Sequence, residues 1–201
     1  MPEKIVIPHP KNDWVSMNVT VRGTAPLIVQ RMHPIIVQNM CAKEFGEKPV
    51  KELRNADVEY ERCFHLLDET KGIDDPDNHG FPVSGFYQGM LFASKVLDIA
   101  KTDIKRHIRL EGYLIPLVFE KLERRQDMVK RKGINKAPDI RTRPCYYGWQ
   151  CVLTVNYNAA VISQTSVLNL LNYAGISSGL GAWRPSSPNC PGPFGTYEVV
   201  S

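Results

Sequence analysis

An α+β fold is what this sequence predicts, on three observations. Residues 15–22 and 149–157 alternate apolar and polar side chains with period two, as half-buried strands do. Residues 82–100 and 163–175 place their apolar side chains at helical spacing. These segments come in the order strand, helix, strand in each half of the chain, the succession of a ferredoxin-like (RRM-like) βαββαβ core with two helices on one sheet face.

Each element follows from its residues. Residues 1–13 are polar and carry Pro2, Pro8 and Pro10, so they read as an extended arm ahead of a single domain over 14–201. In VSMNVTVRG, Val15, Met17, Val19 and Val21 take one side and Ser16, Asn18, Thr20 and Arg22 the other, a strand that Gly23 and Pro26 interrupt. HPIIVQNMCAKEF is weakly helical, and DVEYERCFHLLD reads equally as strand or helix. KGIDDPDNHG is dense in turn formers and reads as a loop. Pro82 and Ser84 open a helix of about 15 residues in which Phe86, Met90, Ala93, Leu97 and Ala100 form the buried stripe. IRLEGYLIPLVFE is one strand or a bent pair. WQCVLTVNYN is a strand, SQTSVLNLLNYAG a helix capped by Ser163 or Thr165 and ending at Gly175, and TYEVV a final strand after the loop GLGAWRPSSPNCPGPFG.

With 201 residues and 43% hydrophobic content the chain needs no disulfide or metal to hold a core. Its five cysteines form no CxxC pair and have no histidine at zinc-finger spacing, which predicts reduced thiols, a cytoplasmic location and no metal or other cofactor. No run approaches the ~18 apolar residues of a membrane span, so no membrane partner is expected. The net charge of +4 is unevenly placed. Residues 121–143 hold nine basic and three acidic residues, a local +6, and the remaining 16 basic and 18 acidic residues leave the rest of the chain at −2. This stretch contains Gly133 and Pro138, is followed by Pro144 and shows no sustained apolar period, so it reads as a long loop or a protruding hairpin.

Three segments carry a family resemblance. The opening strand runs into VRGTAPLIV; DPDNHGFPVSGFYQGML places Asp75, Pro76, Pro82, Ser84 and Gly89 ahead of and within the first helix; and GLGAWRPSSPNCPGPFGTYEV sets glycines before the last strand. Together they resemble the RAMP superfamily, whose members include the CRISPR effector subunits that package guide RNA and the guide-processing endonucleases. Phe86 and Gln88 stand where that family usually has a second serine and a lysine. The short chain suits a compact relative of the kind carried by a phage or mobile element. The resemblance implies a protein that holds or coats single-stranded RNA, less readily single-stranded DNA, as a homo-oligomer or beside neighbouring subunits. It also makes residues 121–148 similar to a thumb-like insertion that grips the strand.

Candidate site residues follow. Arg124, Arg125, Lys130, Arg131, Lys132, Lys136, Arg141 and Arg143, with Tyr146, Tyr147 and Trp149 after them, interleave charge and aromatics as single-strand binders do. In the final loop, Gly179 and Gly181 allow close backbone approach, Arg184 offers a bidentate phosphate donor and Trp183 a face for a base. Asp74, in the acidic loop with Asp75, Asp77 and His79, is similar to the position at which some of the family's backbone subunits cleave RNA, which keeps an Asp-assisted ribonuclease as an alternative. Such a composition also serves turns and caps. A self-assembling protein without nucleic acid is the third reading. His33, His65 and His107 are scattered and read as structural.

Overall fold

The computed structural model describes residues 13–32, 34–48, 55–130 and 138–200. In chain order the elements are β1 (Trp14–Gly23), β2 (Leu27–Ile28), α1 (Pro34–Glu44), α2 (Ala56–Glu61), β3 (Gly80–Pro82), α3 (Val83–Val96), α4 (Lys101–His107), β4 (Ile108–Leu110), β5 (Leu114–Pro116), β6 (Lys121–Lys130), β7 (Pro138–Tyr147), β8 (Gln150–Asn158), α5 (Gln164–Ser177) and β9 (Tyr197–Val200). The fold is α+β with antiparallel sheets, and these strands fall into three sheets, more than the six-element reading of the sequence assigned. The residues expected to form an N-terminal arm lie outside the described residues, apart from Asp13.

The principal sheet has the order β4-β8-β1-β9. β1 pairs with β8 from Trp14 opposite Asn158 to Arg22 opposite Gln150, and with β9 through Thr20 to Gly23. Both β1 and β4 run antiparallel to β8 and are therefore parallel to each other, with α3 in the connection between them. Likewise β8 and β9 both run antiparallel to β1, and α5 joins them. The alternation read from the sequence decides the faces: Val19, Val21, Cys151, Leu153, Val155 and Tyr157 are buried in the core with Phe86, Met90, Val167, Leu170 and Leu171 of the two helices.

Local chemistry explains the boundaries. α3 covers 14 residues, close to the expected 15, but it ends at Val96 and the left-handed Asp98 at φ 55 follows its cap, so Ala100, expected in its buried stripe, is exposed at the start of α4. α5 begins as expected, with Ser163 Oγ accepting from the Ser166 amide at 3.2 Å. It does not end at Gly175, however, but runs on to Ser177, and the left-handed residue is Gly179 at φ 64. Gly175 is needed inside the helix because a Cβ there would lie 2.0 Å from the carbonyl oxygen of Tyr197. The ambiguous 57–68 segment begins as α2, capped by Asn55, whose Oδ1 accepts from the Asp57 amide at 2.8 Å. The bent-pair option holds for 108–120, where Gly112 at φ 84 separates β4 from β5 and the two join different sheets.

The basic segment is a hairpin: β6 and β7 pair from Lys121 opposite Tyr147 to Lys130 opposite Pro138, and β2 adds to β7 through Leu27 and Ile28. The turn-rich loop 71–80 is pinned from within. Buried Asn78 donates to the carbonyls of Asp68 and Gly72 at 2.8 Å each. His79 Nε2 lies 3.0 Å from the Ile73 carbonyl, which can only accept, so Nε2 carries the proton and Nδ1 accepts from the Tyr146 hydroxyl at 2.8 Å.

Two outcomes follow. Gly175→Ala gains up to ~1 kcal/mol of helix propensity but drives a methyl into backbone, and overpacking costs ~1–3 kcal/mol, so a net loss of stability is expected in urea unfolding. Burial holds His65 down at about 4, with Arg31 adding to the effect, and burial lowers His79 as well. The unfolded chain therefore binds more protons than the folded one below pH ~6.5, and stability present above that value is lost as pH falls toward 4. Urea midpoints between pH 7 and 5 should decline in the parent protein and decline less in His65→Gln.

Candidate nucleic-acid interface

The final loop is built against β2. The Ala182 amide donates to the Ile28 carbonyl at 2.8 Å, the Gly195 amide to the Pro26 carbonyl at 2.8 Å, and the Leu180 amide to the Gly195 carbonyl at 2.9 Å. This approach leaves no room for side chains: a Cβ at Gly181 would sit 2.3 Å from the Ile28 oxygen, and one at Gly195 2.0 Å from the Leu180 oxygen. The glycines thus serve the protein's own backbone first. Because β2 pairs with β7, the same approach brings the loop to the hairpin, and two segments far apart in sequence become neighbours.

At that junction Trp183 adopts φ 56, a left-handed conformation costing a residue with a side chain roughly 1–2 kcal/mol. Its ring is already engaged. The guanidinium carbons of Arg125 and Arg143 lie 5.4 and 5.1 Å from the indole centroid, and the Phe194 ring is at 5.9 Å. Two such cation–π pairs, each about 0.5–2 kcal/mol, offset the strain. The free stacking face expected of Trp183 is instead occupied by arginines and Phe194. Asp127 links those arginines, accepting from Arg125 Nε at 2.7 Å and from Arg143 Nη2 at 2.9 Å. The Arg143 and Asp127 side chains are only 4% and 5% exposed, so Arg143 is not a surface phosphate ligand as the sequence suggested but half of a buried pair.

The other hairpin cations divide in two. Arg124 pairs with Asp57 at 2.5 Å and lies over the Tyr60 ring, and Arg141 reaches Glu59 at 3.4 Å and Asp139 at 3.3 Å. The Arg124–Asp57 pair is exposed and worth ~0–1 kcal/mol, so a phosphate can replace that carboxylate at little cost, whereas Asp139 is 4% exposed and holds Arg141 within the fold. Lys130 ends β6, with its side chain outside the described residues, as are Arg131, Lys132 and Lys136.

A cleft of about 400 Å³ opens on the other side of the loop, between α3 and residues 178–186. Lys95, Lys101 and Arg184 line it together with Ser84, Ser178, Ser186, Gly179 and Gly181, and no carboxylate does. Arg184 is aimed by its own loop: Nη1 donates to the Gly181 carbonyl and Nε to Ser186 Oγ, each at 3.0 Å, which leaves Nη2 free. No side chain caps α3; the Val83 amide donates to the Tyr113 carbonyl at 3.0 Å, and the remaining first-turn amides add positive potential at the start of the helix. Among the described residues Lys95 and Lys101 enter no ion pair. Sequence reasoning passed over both lysines because it looked for dense charge, and these stand six residues apart on either side of the turn at Asp98.

Asp74 is exposed in its loop. The histidine expected beside it, His79, is 1% exposed and turned into the core toward Tyr146. Among the described residues no three histidine, cysteine, aspartate or glutamate side chains converge on a point that could hold a metal. No helix among them is long and apolar enough to cross a membrane. No family model matches the chain, and comparison with curated proteins gives no significant match.

The buried pair yields a stability test. Asp127→Ala leaves Arg143 charged and unpaired, and should cost ~3–5 kcal/mol in urea unfolding, while Asp127→Ala with Arg143→Met recovers most of that loss.

Proposed function

We propose that this protein is a RAMP-like, single-strand nucleic-acid-binding protein with a ferredoxin-like core, acting in the cytoplasm on RNA in preference to DNA. One observation carries the reading: a cleft bordered by three cations, three hydroxyls and glycine backbone, with no carboxylate, offers a polyanion what it needs and excludes an acidic wall. Two further features support it. In the principal sheet, two parallel strand pairs are each bridged by a helix and separated by an antiparallel strand, the arrangement of a split βαβ unit repeated twice. The basic hairpin stands beside the same loop, with Arg124 in a weak, exposed pair that a phosphate can take over. Lys130, Arg131, Lys132 and Lys136 add four more basic residues to the same stretch of sequence. Copies side by side along a strand would coat it. Binding, rather than cleavage at Asp74, is the reading favoured.

Fluorescence anisotropy with labelled oligouridylate and oligothymidylate tests this. Lys95→Ala with Lys101→Ala should weaken binding to either probe at least about tenfold, with unchanged thermal stability. The slope of log K against log salt should fall by roughly 0.7 for every phosphate that the double variant no longer neutralises. Equal affinities and slopes for the parent and the double variant would refute the assignment of the cleft.

A further inference from the structure

A second cleft, of about 420 Å³, lies on the opposite side of the first turn of α3, bounded by that turn, α4, β4 and the bend at Gly112. Ser84 lines both clefts, so they meet over one residue at the uncapped start of α3. Lys105 and Arg109 line the second one, again without a carboxylate, and Tyr87 contributes a phenol. The cations follow a rule of spacing. Lys101 in the first cleft and Lys105 in the second are one turn apart on α4, on one face of the helix, and Arg109 follows four residues later on β4. Among the described residues Lys105 and Arg109 form no ion pair. The Arg109 guanidinium instead lies 4.4 Å from the centroid of the Trp14 ring on β1. Trp14 and Arg109 belong to the sheet face turned away from the helices, since their neighbours Val15, Met17, Ile108 and Leu110 are directed the other way along each strand. Tyr113, widely exposed, borders the same bend.

We propose that this second cleft is a further nucleotide subsite, so that one strand passes over Ser84 from the glycine-loop cleft and continues past Lys105 and Tyr87 to Arg109 and Trp14 on the open sheet face. The inference rests on the single-strand-binding reading and adds a path and a footprint to it. The first cleft gathers its cations with hydroxyls and glycine backbone and has Phe92 at its wall. The second sets its cations beside Tyr87 and leads outside its own lining to Tyr113 at the bend and Trp14 on the open sheet face, so that phosphate contacts and base stacking can alternate along the path. An acidic protein segment would satisfy the cations and leave Tyr87 and Tyr113 without a stacking partner, with Trp14 already under Arg109, which favours nucleic acid as the occupant.

Anisotropy titrations with fluorescein-labelled oligouridylates of 4, 8, 12 and 16 nucleotides decide it. In the parent protein, affinity should rise steeply once the strand spans both clefts. Lys105→Ala with Arg109→Ala should lose at least fivefold on the long probes and stay within twofold of the parent on the shortest probe that binds. Trp14→Phe should retain binding but remove the quenching of tryptophan emission that only long probes produce. Long-probe affinity unchanged in the double variant overturns the proposal, as does a loss at every length in a normally folded double variant, which would merge the clefts into one site. Competition by oligoglutamate as strong as by the 16-mer, abolished in the double variant, overturns it in favour of an acidic protein partner. Failure of the parent to bind any probe defeats the single-strand reading itself, and is distinct from all of these.

Discussion

The hydrogen-bonded seating of the final loop on β2 is the constraint on which the rest of the molecule depends. With Ala182 donating to Ile28, and the Leu180 and Ile28 carbonyl oxygens where β-carbons at Gly195 and Gly181 would fall, the loop has one way to lie. β2 contributes two residues to a sheet, yet it is the joint through which the hairpin sheet, the loop and the principal sheet meet, because β1 leads directly into it. Once the loop is seated, Arg184 is held by Gly181 and Ser186, Trp183 lies against Arg125 and Arg143, and the cleft beside α3 acquires its floor. A loop rich in glycine is therefore fixed in shape by close approaches that only glycine permits.

Charge serves two separate purposes here, and burial distinguishes them. Arg143 and Asp127 are almost fully buried, and breaking such a pair costs several kcal/mol, so the pair belongs to the architecture. Arg124 holds the exposed Asp57 in a pair worth little and can exchange it for another anion, whereas Arg141 is tied to the buried Asp139. Among the described residues Lys95 and Lys101 pair with no carboxylate, and none lines the cleft they border. By contrast, Lys121, Arg124, Arg125, Arg141 and Arg143 of the 121–143 stretch each have a carboxylate partner within the fold.

The elements that the sequence made legible were those with a long, unbroken period. β1, β8, α3 and α5 each alternate or repeat over nine or more residues with one buried face, and each was readable to within a few residues. Gly175 misled because its sequence position suits a helix cap, while the physical reason for a glycine there is the Tyr197 carbonyl packed against it. The short strands β2, β3, β4 and β5 hold two or three residues each, too few to show any period, and exist because partners elsewhere in the chain complete their hydrogen bonds. At the site, Gly179, Gly181 and Arg184 were legible as a loop, whereas the pairing of Arg143 with Asp127 depends on hairpin register, which a one-residue slip would have undone. The Lys101, Lys105 and Arg109 spacing was present in the sequence, but α4 is only seven residues long and its apolar period too brief to announce a helix.

Uncompensated cations on one side of a small protein repel one another, and that repulsion destabilises the free protein unless something offsets it. Here the offset is geometric. Lys95 sits near the end of α3 and Lys101 at the start of α4, on opposite sides of a turn that passes through the left-handed Asp98, so the two ammonium groups approach the cleft from different elements. Arg184 reaches it from the loop and keeps two of its nitrogens on internal acceptors. The cations converge on the space between elements rather than on each other, and an anion that fills that space relieves the repulsion while touching all three. On the proposed reading, such a cleft would favour a multiply charged ligand over a single ion, and salt would weaken the interaction, since added counterions relieve the same repulsion without a strand.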